Sequence, residues 1–169
     1  NETVNFSGKE VEIPFDEFFK LNDPIQNIVI VPPHASINAA IKRKTLRLNW
    51  EEDLQPNTTY AIFLNNAVRD VSEGNDSIFQ YVFSTGNYLD SLTYSVSVVD
   101  AWTGKAASKC LVGLFDEKTN DLRSFSETNS DGIVALNYLP PGNYRVSAFY
   151  DENGDLKLQS HEEVGFPLN

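Results

Sequence analysis

Apolar and polar residues alternate along most of the chain with a period of two, the pattern of β-strands that bury one face. No window of helical length shows the spacing of an amphipathic helix. One helical turn is predicted at residues 18–21, where Asn22-Asp23-Pro24 would end it. The alternating runs are residues 11–15, 46–50, 60–64, 79–83, 92–98, 134–138 and 144–150, and residues 28–31 are continuously β-branched. The pattern predicts an all-β protein.

Turn-forming sequences separate these runs by roughly 8–12 residues, as in an antiparallel β-sandwich. The clearest are Asp131-Gly132 and Pro140-Pro141-Gly142. Gly reaches positive φ without a steric clash, an Asp side chain can bond its own backbone, and Pro cannot donate to a strand ladder. A small polar stretch at residues 84–87 precedes a new alternating run. We therefore predict two tandem antiparallel β-sandwiches, in domains 1–87 and 88–169.

Five sequences in the first domain form an ordered set: Val11-Glu-Ile-Pro-Phe-Asp16, Lys44-Thr-Leu-Arg-Leu48, Leu54-Gln-Pro-Asn-Thr-Thr-Tyr60, Val68-Arg-Asp-Val-Ser-Glu-Gly-Asn75 and Tyr81-Val-Phe-Ser-Thr-Gly86. Together they resemble bacterial Ig-like domains of the S-layer type. The third is a turn that would place Tyr60 at the start of a core strand. The resemblance implies an Ig-like β-sandwich.

Three sequences characterise the second domain: Val98-Val-Asp-Ala-Trp-Thr-Gly104, Thr128-Asn-Ser-Asp-Gly132 and Leu139-Pro-Pro-Gly-Asn-Tyr144. In these the domain is similar to carboxypeptidase-regulatory and collagen-adhesin B-type repeats, which are prealbumin-like sandwiches. Some adhesin B-type domains carry an isopeptide bond from a first-strand Lys, but Val98 occupies that position here, so no crosslink is expected. The tandem as a whole resembles the N-terminal portion of surface lipoproteins from Bacteroidetes.

Charge and cysteine content narrow the choice of partner and compartment. The formal net charge is −11, shared almost evenly between the two halves, so nucleic acid or an anionic membrane surface is not an expected partner. The basic triplet at residues 42–44 is predicted to be a solvated hairpin tip. The one cysteine, Cys110, lies in an apolar run and is predicted to be a core residue. No apolar run is long enough to span a membrane.

Residues 151–162 contain the best candidate for a metal site. Asp151, Asn153, Asp155 and Glu162 have the spacing of positions 1, 3, 5 and 12 in a calcium loop, where oxygen ligands converge on one ion. Leu156 replaces the usual Gly at the sixth position, and strands rather than helices would flank the loop. A calcium site and a plain acidic turn are both open, and calcium is the only cofactor suggested.

Residues suited to catalysis are few. His34 and His161 are the only histidines, and neither has a Ser or Cys partner at a spacing typical of a catalytic triad. Adjacent acids such as Asp16-Glu17 and Glu51-Glu52-Asp53 are more typical of solvated turns than of glycosidase pairs. Clustered His or Cys for zinc is missing from the sequence. We therefore predict that the chain is not an enzyme.

Aromatic residues in turns offer a possible surface for a ligand. Two aromatic residues lie outside the alternating runs: Trp102 in the turn at residues 100–104 and Tyr88 near the boundary between the two predicted domains. Their rings could stack on sugars or could cover the edge of a hydrophobic core. Trp50 instead belongs to an alternating run and is predicted to be a core residue. Two functions follow: a non-catalytic cell-surface stalk or adhesion module, or a glycan- or protein-binding module of a polysaccharide-uptake system. The expected partner is an extracellular protein or glycan. The resemblance implies a monomer outside the cytoplasm, anchored at the outer membrane of a Gram-negative bacterium.

Overall fold

The computed structural model describes residues 2–33, 37–70, 78–151 and 164–165. The chain divides into two compact units, Asn1–Leu89 and Asp90–Asn169, called the first and second unit below. Almost all regular structure in these residues is β-strand, in antiparallel sheets, and the predicted all-β class of tandem sandwiches is confirmed. Within the same residues, no helix has the length and apolar character needed to cross a membrane.

The first unit contains eight described strands and one helical turn. Its sheets have the strand orders β1-β5-β4, β3-β6-β8 and β2-β7. The elements are β1 (Glu10–Pro14), β2 (Phe19–Leu21), α1 (Pro24–Asn27), β3 (Ile28–Val31), β4 (Asn38–Lys42), β5 (Thr45–Asn49), β6 (Thr59–Leu64), β7 (Val68–Asp70) and β8 (Phe79–Ser84).

The core of the first unit is built from the alternating residues of facing sheets. Leu46 and Leu48 of β5 are fully buried and lie opposite Ile13 and Val11 of β1. Tyr60 of β6 lies opposite Phe83 of β8, and the two rings stack with centroids 5.5 Å apart. Trp50 stacks on the same Phe83 ring at 6.1 Å, which confirms Trp50 as a core residue.

The predicted helical turn at residues 18–21 is wrong. Phe19–Leu21 is strand β2, paired with β7, with Phe19 buried and Phe18 exposed. The helical turn begins at Pro24 instead. Proline is tolerated in the first turn of a helix, because the N–H it lacks would have no partner there and its fixed φ suits the helix. Pro24, which was predicted to end one helical turn, therefore starts another.

The second unit contains six described strands in two sheets. One sheet has four strands in the order β11-β10-β13-β14, and the other has two, β12-β9. The strands are β9 (Leu92–Ser97), β10 (Leu111–Asp116), β11 (Leu122–Glu127), β12 (Ile133–Leu139), β13 (Tyr144–Phe149) and β14 (Val164–Gly165). Val112, Leu114, Val134, Leu136 and Ala148 are buried together in the core between them.

The predicted alternation in β12 is confirmed for Val134 and Leu136, which are buried, and fails at Tyr138, which is only half-buried. The pairing with β9 shifts register between Leu136 and Leu139, and Tyr138 has a φ of 59°. One extra residue in a strand reverses the faces of those after it. Leu139 is therefore buried at the position predicted for Tyr138.

Residues 128–132 tie several segments of the second unit together. The buried Thr128 hydroxyl donates to the Ala107 carbonyl and accepts from the Cys110 N–H at 3.0 Å. The turn after it was expected to be capped by Asp131. Instead, the side-chain oxygen of Asn129 accepts from the N–H groups of Asp131 and Ile133, at 2.9 and 3.0 Å.

Candidate functional site

Trp102 is the most exposed large apolar side chain among the described residues. It is 96% exposed, on a turn that follows β9 in the second unit. Both ends of this turn are paired: the Asp100 N–H donates to the Lys105 carbonyl and the Gly104 N–H to the Asp100 carbonyl, each at 2.8 Å. The indole is therefore displayed on a turn of defined shape.

The carboxylate of Asp100 organises the inside of this turn. Its Oδ1 accepts from the N–H of Trp102 at 3.1 Å, from the N–H of Thr103 at 2.6 Å and from the Thr103 hydroxyl at 2.7 Å. An Asp side chain that bonds the backbone two or three residues later is a local alternative to regular structure. The sequence Asp-Ala-Trp-Thr-Gly thus encodes a turn that holds its aromatic residue outward.

These hydrogen bonds also set the charge of the turn. The Thr103 hydroxyl and then the Thr103 N–H lower the pKa of Asp100 most; desolvation opposes them, and the Trp102 N–H adds a weaker lowering. Donors to a carboxylate favour its ionised form. The turn therefore presents an apolar indole close to a stable negative charge, a combination suited to stacking on a sugar ring or packing against an apolar, basic peptide.

Tyr88, the other predicted aromatic, lies in the first unit and is 52% exposed. It follows β8 outside any strand. Tyr88 and Trp102 belong to different units, and their use as ligand contacts stays a prediction.

The predicted calcium ligands fall mostly outside the described residues. Asp151 is described and half-buried, whereas Asn153, Asp155 and Glu162 are not described. In the parts of the chain with described positions, no group of three His, Cys, Asp or Glu side chains could hold a metal ion. The calcium site therefore stays a prediction.

The cysteine and the acidic residues considered for catalysis lie in separate settings where the structure describes them. Cys110 is buried, which confirms its predicted place in the core, and its Sγ lies 3.5 Å from the Phe149 carbonyl oxygen. Desolvation raises the pKa of this thiol, so the reactive thiolate is disfavoured. His34 and His161 lie outside the described residues. Asp53 pairs with Lys9 at 2.8 Å, which lowers the pKa of that carboxyl.

The hairpin tip at residues 42–44, predicted to be solvated, has one lysine that contacts the rest of the first unit. The Lys44 ammonium donates to the Asp16 carbonyl at 2.6 Å and lies 5.1 Å from the centre of the Phe18 ring. Phe18 itself is exposed. This contact was not predicted from the sequence, because it joins two segments that only strand pairing brings together.

A further feature missed from sequence is the path of the N-terminal segment. Thr3 forms a parallel bridge with Phe83 of β8. Three backbone hydrogen bonds follow the same parallel direction: Glu2 N–H to Val82 O (2.8 Å), Ser84 N–H to Thr3 O (2.8 Å) and Asn5 N–H to Gly86 O (2.7 Å). The chain bends at Asn5, and the Phe6 N–H then donates back to Ser84 O at 2.9 Å. Residues 2–5 and the exit of the first unit therefore run side by side in the same direction.

A hydrogen-bonded clamp closes the exit of this unit. The Thr85 hydroxyl donates to the Gln55 carbonyl at 2.7 Å and accepts from the Thr58 N–H at 3.0 Å. The Tyr60 hydroxyl accepts from the Gln55 N–H at 3.0 Å. Two of the sequences that carry the Ig-like resemblance, at residues 54–60 and 81–86, thus meet at this clamp.

Comparisons with solved structures give weak likenesses to two pilus proteins. The chain is similar to the group B streptococcus pilus 2b backbone protein, with 12% identity and a TM-score of 0.28, covering 96% of this chain and 80% of that one. It is also similar to a variant of the major pilin subunit of Bacillus cereus, with 10% identity and a TM-score of 0.29, covering 95% of this chain and 53% of that one. At these scores neither likeness carries an argument.

The comparison with protein families is more informative. No curated protein matches the sequence. The family profile described as a bacterial Ig-like domain matches residues 1–85, half of the chain. The matched residues are those of the first unit, with its paired ends and its clamp. The chain belongs to the bacterial Ig-like domain family.

Proposed function

We propose that the chain is a non-catalytic structural or adhesion module of a bacterial cell surface. One observation carries the proposal: residues 2–5 run parallel to β8 and its exit. Tension between the two ends of the first unit pulls these segments past each other, so it loads the three backbone hydrogen bonds of this pairing together. Bonds loaded together resist more force than bonds opened one at a time, which suits a domain that must hold its length under load.

The clamp supports the same role. Thr85 bonds Gln55 and Thr58 where the chain leaves the first unit, so the last strand is held on its other side as well. Side-chain bonds to otherwise unpaired backbone groups give a loop a single conformation. A defined exit limits the directions in which the following segment can leave.

Forced unfolding of single molecules tests the load-bearing role. Handles attached through Glu2→Cys and Asn87→Cys, in a Cys110→Ser background, load the parallel pairing. Handles at Ser7→Cys and Asn87→Cys leave residues 2–6 out of the load path. We expect a clearly higher unfolding force for the first pair. Equal forces would contradict a load-bearing role for the N-terminal segment.

A second candidate function is a glycan- or protein-binding module, as in polysaccharide uptake. The observation that favours it is Trp102, exposed on a turn that Asp100 holds in shape. Screening the chain and its Trp102→Ala variant against glycan arrays tests this function, with Tyr88→Ala as a second aromatic control. Loss of a hit in Trp102→Ala alone would support the binding module. Failure of every glycan would favour the spacer.

The finer assignments are also proposals. The motifs in the second half support a prealbumin-like domain at residues 88–169, and those in the first half support an S-layer-type domain at residues 1–87. The tandem supports a Bacteroidetes surface lipoprotein anchored at the outer membrane. Protease treatment of intact cells tests the location: loss of the protein from intact cells is expected, and protection until the cells are lysed would contradict it.

A further inference from the structure

Most cations of the first unit are not used in ion pairs. The unit has seven Lys and Arg residues, and two of them, Lys9 and Arg47, pair with acidic side chains. None of the other five forms an ion pair with a described residue. These five are Lys20, Lys42, Arg43, Lys44 and Arg69, and all of them except Lys44 are exposed.

Two of these cations face each other across a pair of strands. Lys20 of β2 lies directly opposite Arg69 of β7. Phe19, next to Lys20, is buried, so alternation turns Lys20 and Arg69 toward solvent, where both are exposed. Like charges directly opposite each other destabilise a strand pair. The pair is therefore a local cost to folding that a bound anion would remove.

An exposed aromatic ring connects this pair to the hairpin tip. Phe18 lies two residues before Lys20 and is 62% exposed. The Lys44 ammonium lies 5.1 Å from the centre of the Phe18 ring and donates to the main-chain carbonyl of Asp16, so the tip is held beside the ring. We call this set the basic strip; it consists of Phe18, Lys20, Lys42, Arg43, Lys44 and Arg69.

The charge of this region is opposite to that of the whole chain. Residues 16–20, 42–44 and 69–70 together contain five cations and three acids, a net charge of +2, whereas the chain carries −11. Charges in solution are screened over a Debye length of about 10 Å at 0.1 M salt. A local positive area can therefore attract an anionic group although the whole protein does not.

We infer that the basic strip binds an anionic polysaccharide. Carboxylate or sulfate groups of the polysaccharide would pair with Lys20, Arg69 and the hairpin tip. The exposed ring of Phe18 offers a flat apolar face on which a sugar ring can stack. The site uses no residue assigned to the load-bearing role or to the Trp102 candidate, so it depends on neither.

Other anionic partners fit the strip less well. A nucleic acid or an anionic membrane presents a broad negative surface, which would also meet other parts of an acidic chain. An acidic peptide would use the cations but has no sugar ring to place on Phe18. A single polysaccharide chain satisfies both the charges and the ring.

Calorimetric titration with two anionic polysaccharides tests the inference. The probes are oligogalacturonate, which carries carboxylates, and heparin, which also carries sulfates. The controls are methyl-esterified oligogalacturonate, which lacks the charge, and poly-glutamate, which lacks the sugar. We expect at least one probe to bind more tightly than either control, with an affinity that falls as salt is added. Changes in NMR amide shifts should locate the bound probe at residues 18–20, 42–44 and 69.

Two double variants remove the same charge from different places. Lys20→Gln with Arg69→Gln neutralises the opposed pair, and Lys109→Gln with Lys118→Gln neutralises two exposed cations of the second unit. We expect affinity at least about tenfold weaker for the first variant and little changed for the second. The first should also melt at a slightly higher temperature, because it removes a repulsion. Weaker binding would then not result from unfolding.

A third variant tests the contribution of the ring. Phe18→Ala should weaken binding of the polysaccharide but not the weaker attraction to poly-glutamate, because only a sugar stacks on the ring. Trp102→Ala should leave the affinity unchanged, which separates this site from the Trp102 candidate.

Three results would overturn the inference. One is failure of both anionic polysaccharides to bind at low salt, and another is equal weakening in the two double variants, which would indicate general attraction. The third is poly-glutamate binding as tight as that of the polysaccharides with no effect of Phe18→Ala, because it would make an acidic peptide the partner.

Discussion

A methyl group on the α-carbon of Gly132 would lie 2.5 Å from the carbonyl oxygen of Val98. That oxygen accepts a hydrogen bond from the Ala107 N–H at 3.0 Å, and the Gly132 carbonyl accepts from the Val98 N–H at 2.8 Å. Gly132 also has a φ of 72°, where L side chains are disfavoured. Three backbone segments of the second unit therefore meet at a point with no room for a side chain.

Replacement of Gly132 by Ala should destabilise the second unit strongly. The new methyl group meets backbone atoms that cannot move aside, and its residue adopts an unfavourable φ. We expect a loss of about 3 kcal/mol or more in the free energy of unfolding. Gly104→Ala is the matched control: Gly104 has a φ of 67°, but its Cβ would meet nothing within 4 Å. Its loss should be about 1–2 kcal/mol, from the backbone alone.

Native-state labelling of Cys110 measures this effect within the second unit. Cys110 is the single cysteine and is buried, so a thiol reagent reacts with it only after the second unit opens. Gly132→Ala should accelerate labelling far more than Gly104→Ala. The fluorescence of the buried Trp50 should report an intact first unit in both variants. Equal labelling rates for the two variants would contradict the close approach at Gly132.

Because of the clamp at the exit of the first unit, two chemically identical substitutions should lower the free energy of unfolding by different amounts. Thr85→Val removes a hydroxyl that bonds both Gln55 and Thr58 and leaves the Thr58 N–H without that acceptor. A loss of about 1–3 kcal/mol is expected. In Thr58→Val, the lost hydroxyl bonds only the Pro56 carbonyl at an exposed position, and a loss under about 0.5 kcal/mol is expected. Urea unfolding followed by Trp50 fluorescence measures both, and similar losses would rule out the clamp.

The two tryptophans should respond in opposite ways to truncation. Trp102→Ala removes an exposed side chain and should change the free energy of unfolding by less than about 0.5 kcal/mol. Trp50→Ala empties a core position against Phe83 and should lower it by about 3–5 kcal/mol. Calorimetric melting of the two variants measures the difference. A large loss in Trp102→Ala would mean that the indole packs against the protein rather than serving as a contact surface.

Acidification should weaken the second unit through Asp100 and Asp116. Donors from Thr103 lower the pKa of Asp100, and the N–H groups of Thr119 and Lys118, aided by Arg123, lower the pKa of Asp116. A pKa lowered by folding stabilises the protein above the unfolded value, and that stability is lost as pH falls through the folded value. Stability should therefore decrease from neutral pH to about pH 3.

A double variant, Asp100→Asn with Asp116→Asn, tests this source of pH dependence. Amide side chains keep an oxygen acceptor but do not titrate in this range. Urea unfolding, followed by the NMR signal of the buried Leu136 methyl groups, should show a shallower pH dependence in the variant. An identical pH dependence in the two proteins would assign the effect to other carboxylates.

The order of residues was sufficient to predict the all-β class, because strand alternation depends on neighbours two positions apart. The same local pattern identified Trp50 and Cys110 as core residues and Trp102 as a turn residue. It failed at residues 18–21 and at Tyr138, where strand pairing and an extra residue decide which side faces the core. Local turn chemistry was likewise assigned to Asp131, although Asn129 supplies the bonds.

The tertiary structure alone decided which distant segments meet. The parallel pairing of residues 2–5 with β8, the Thr85 clamp and the approach of Gly132 to Val98 each join groups that are far apart in the chain. Leu92 and Tyr94 of β9 are about half exposed although Leu139 and Leu136, which lie opposite them in β12, are buried, and alternation within β9 does not predict that difference. The period-two pattern determines on which face of its strand each residue lies. Only the packing of complete sheets determines whether that face is covered.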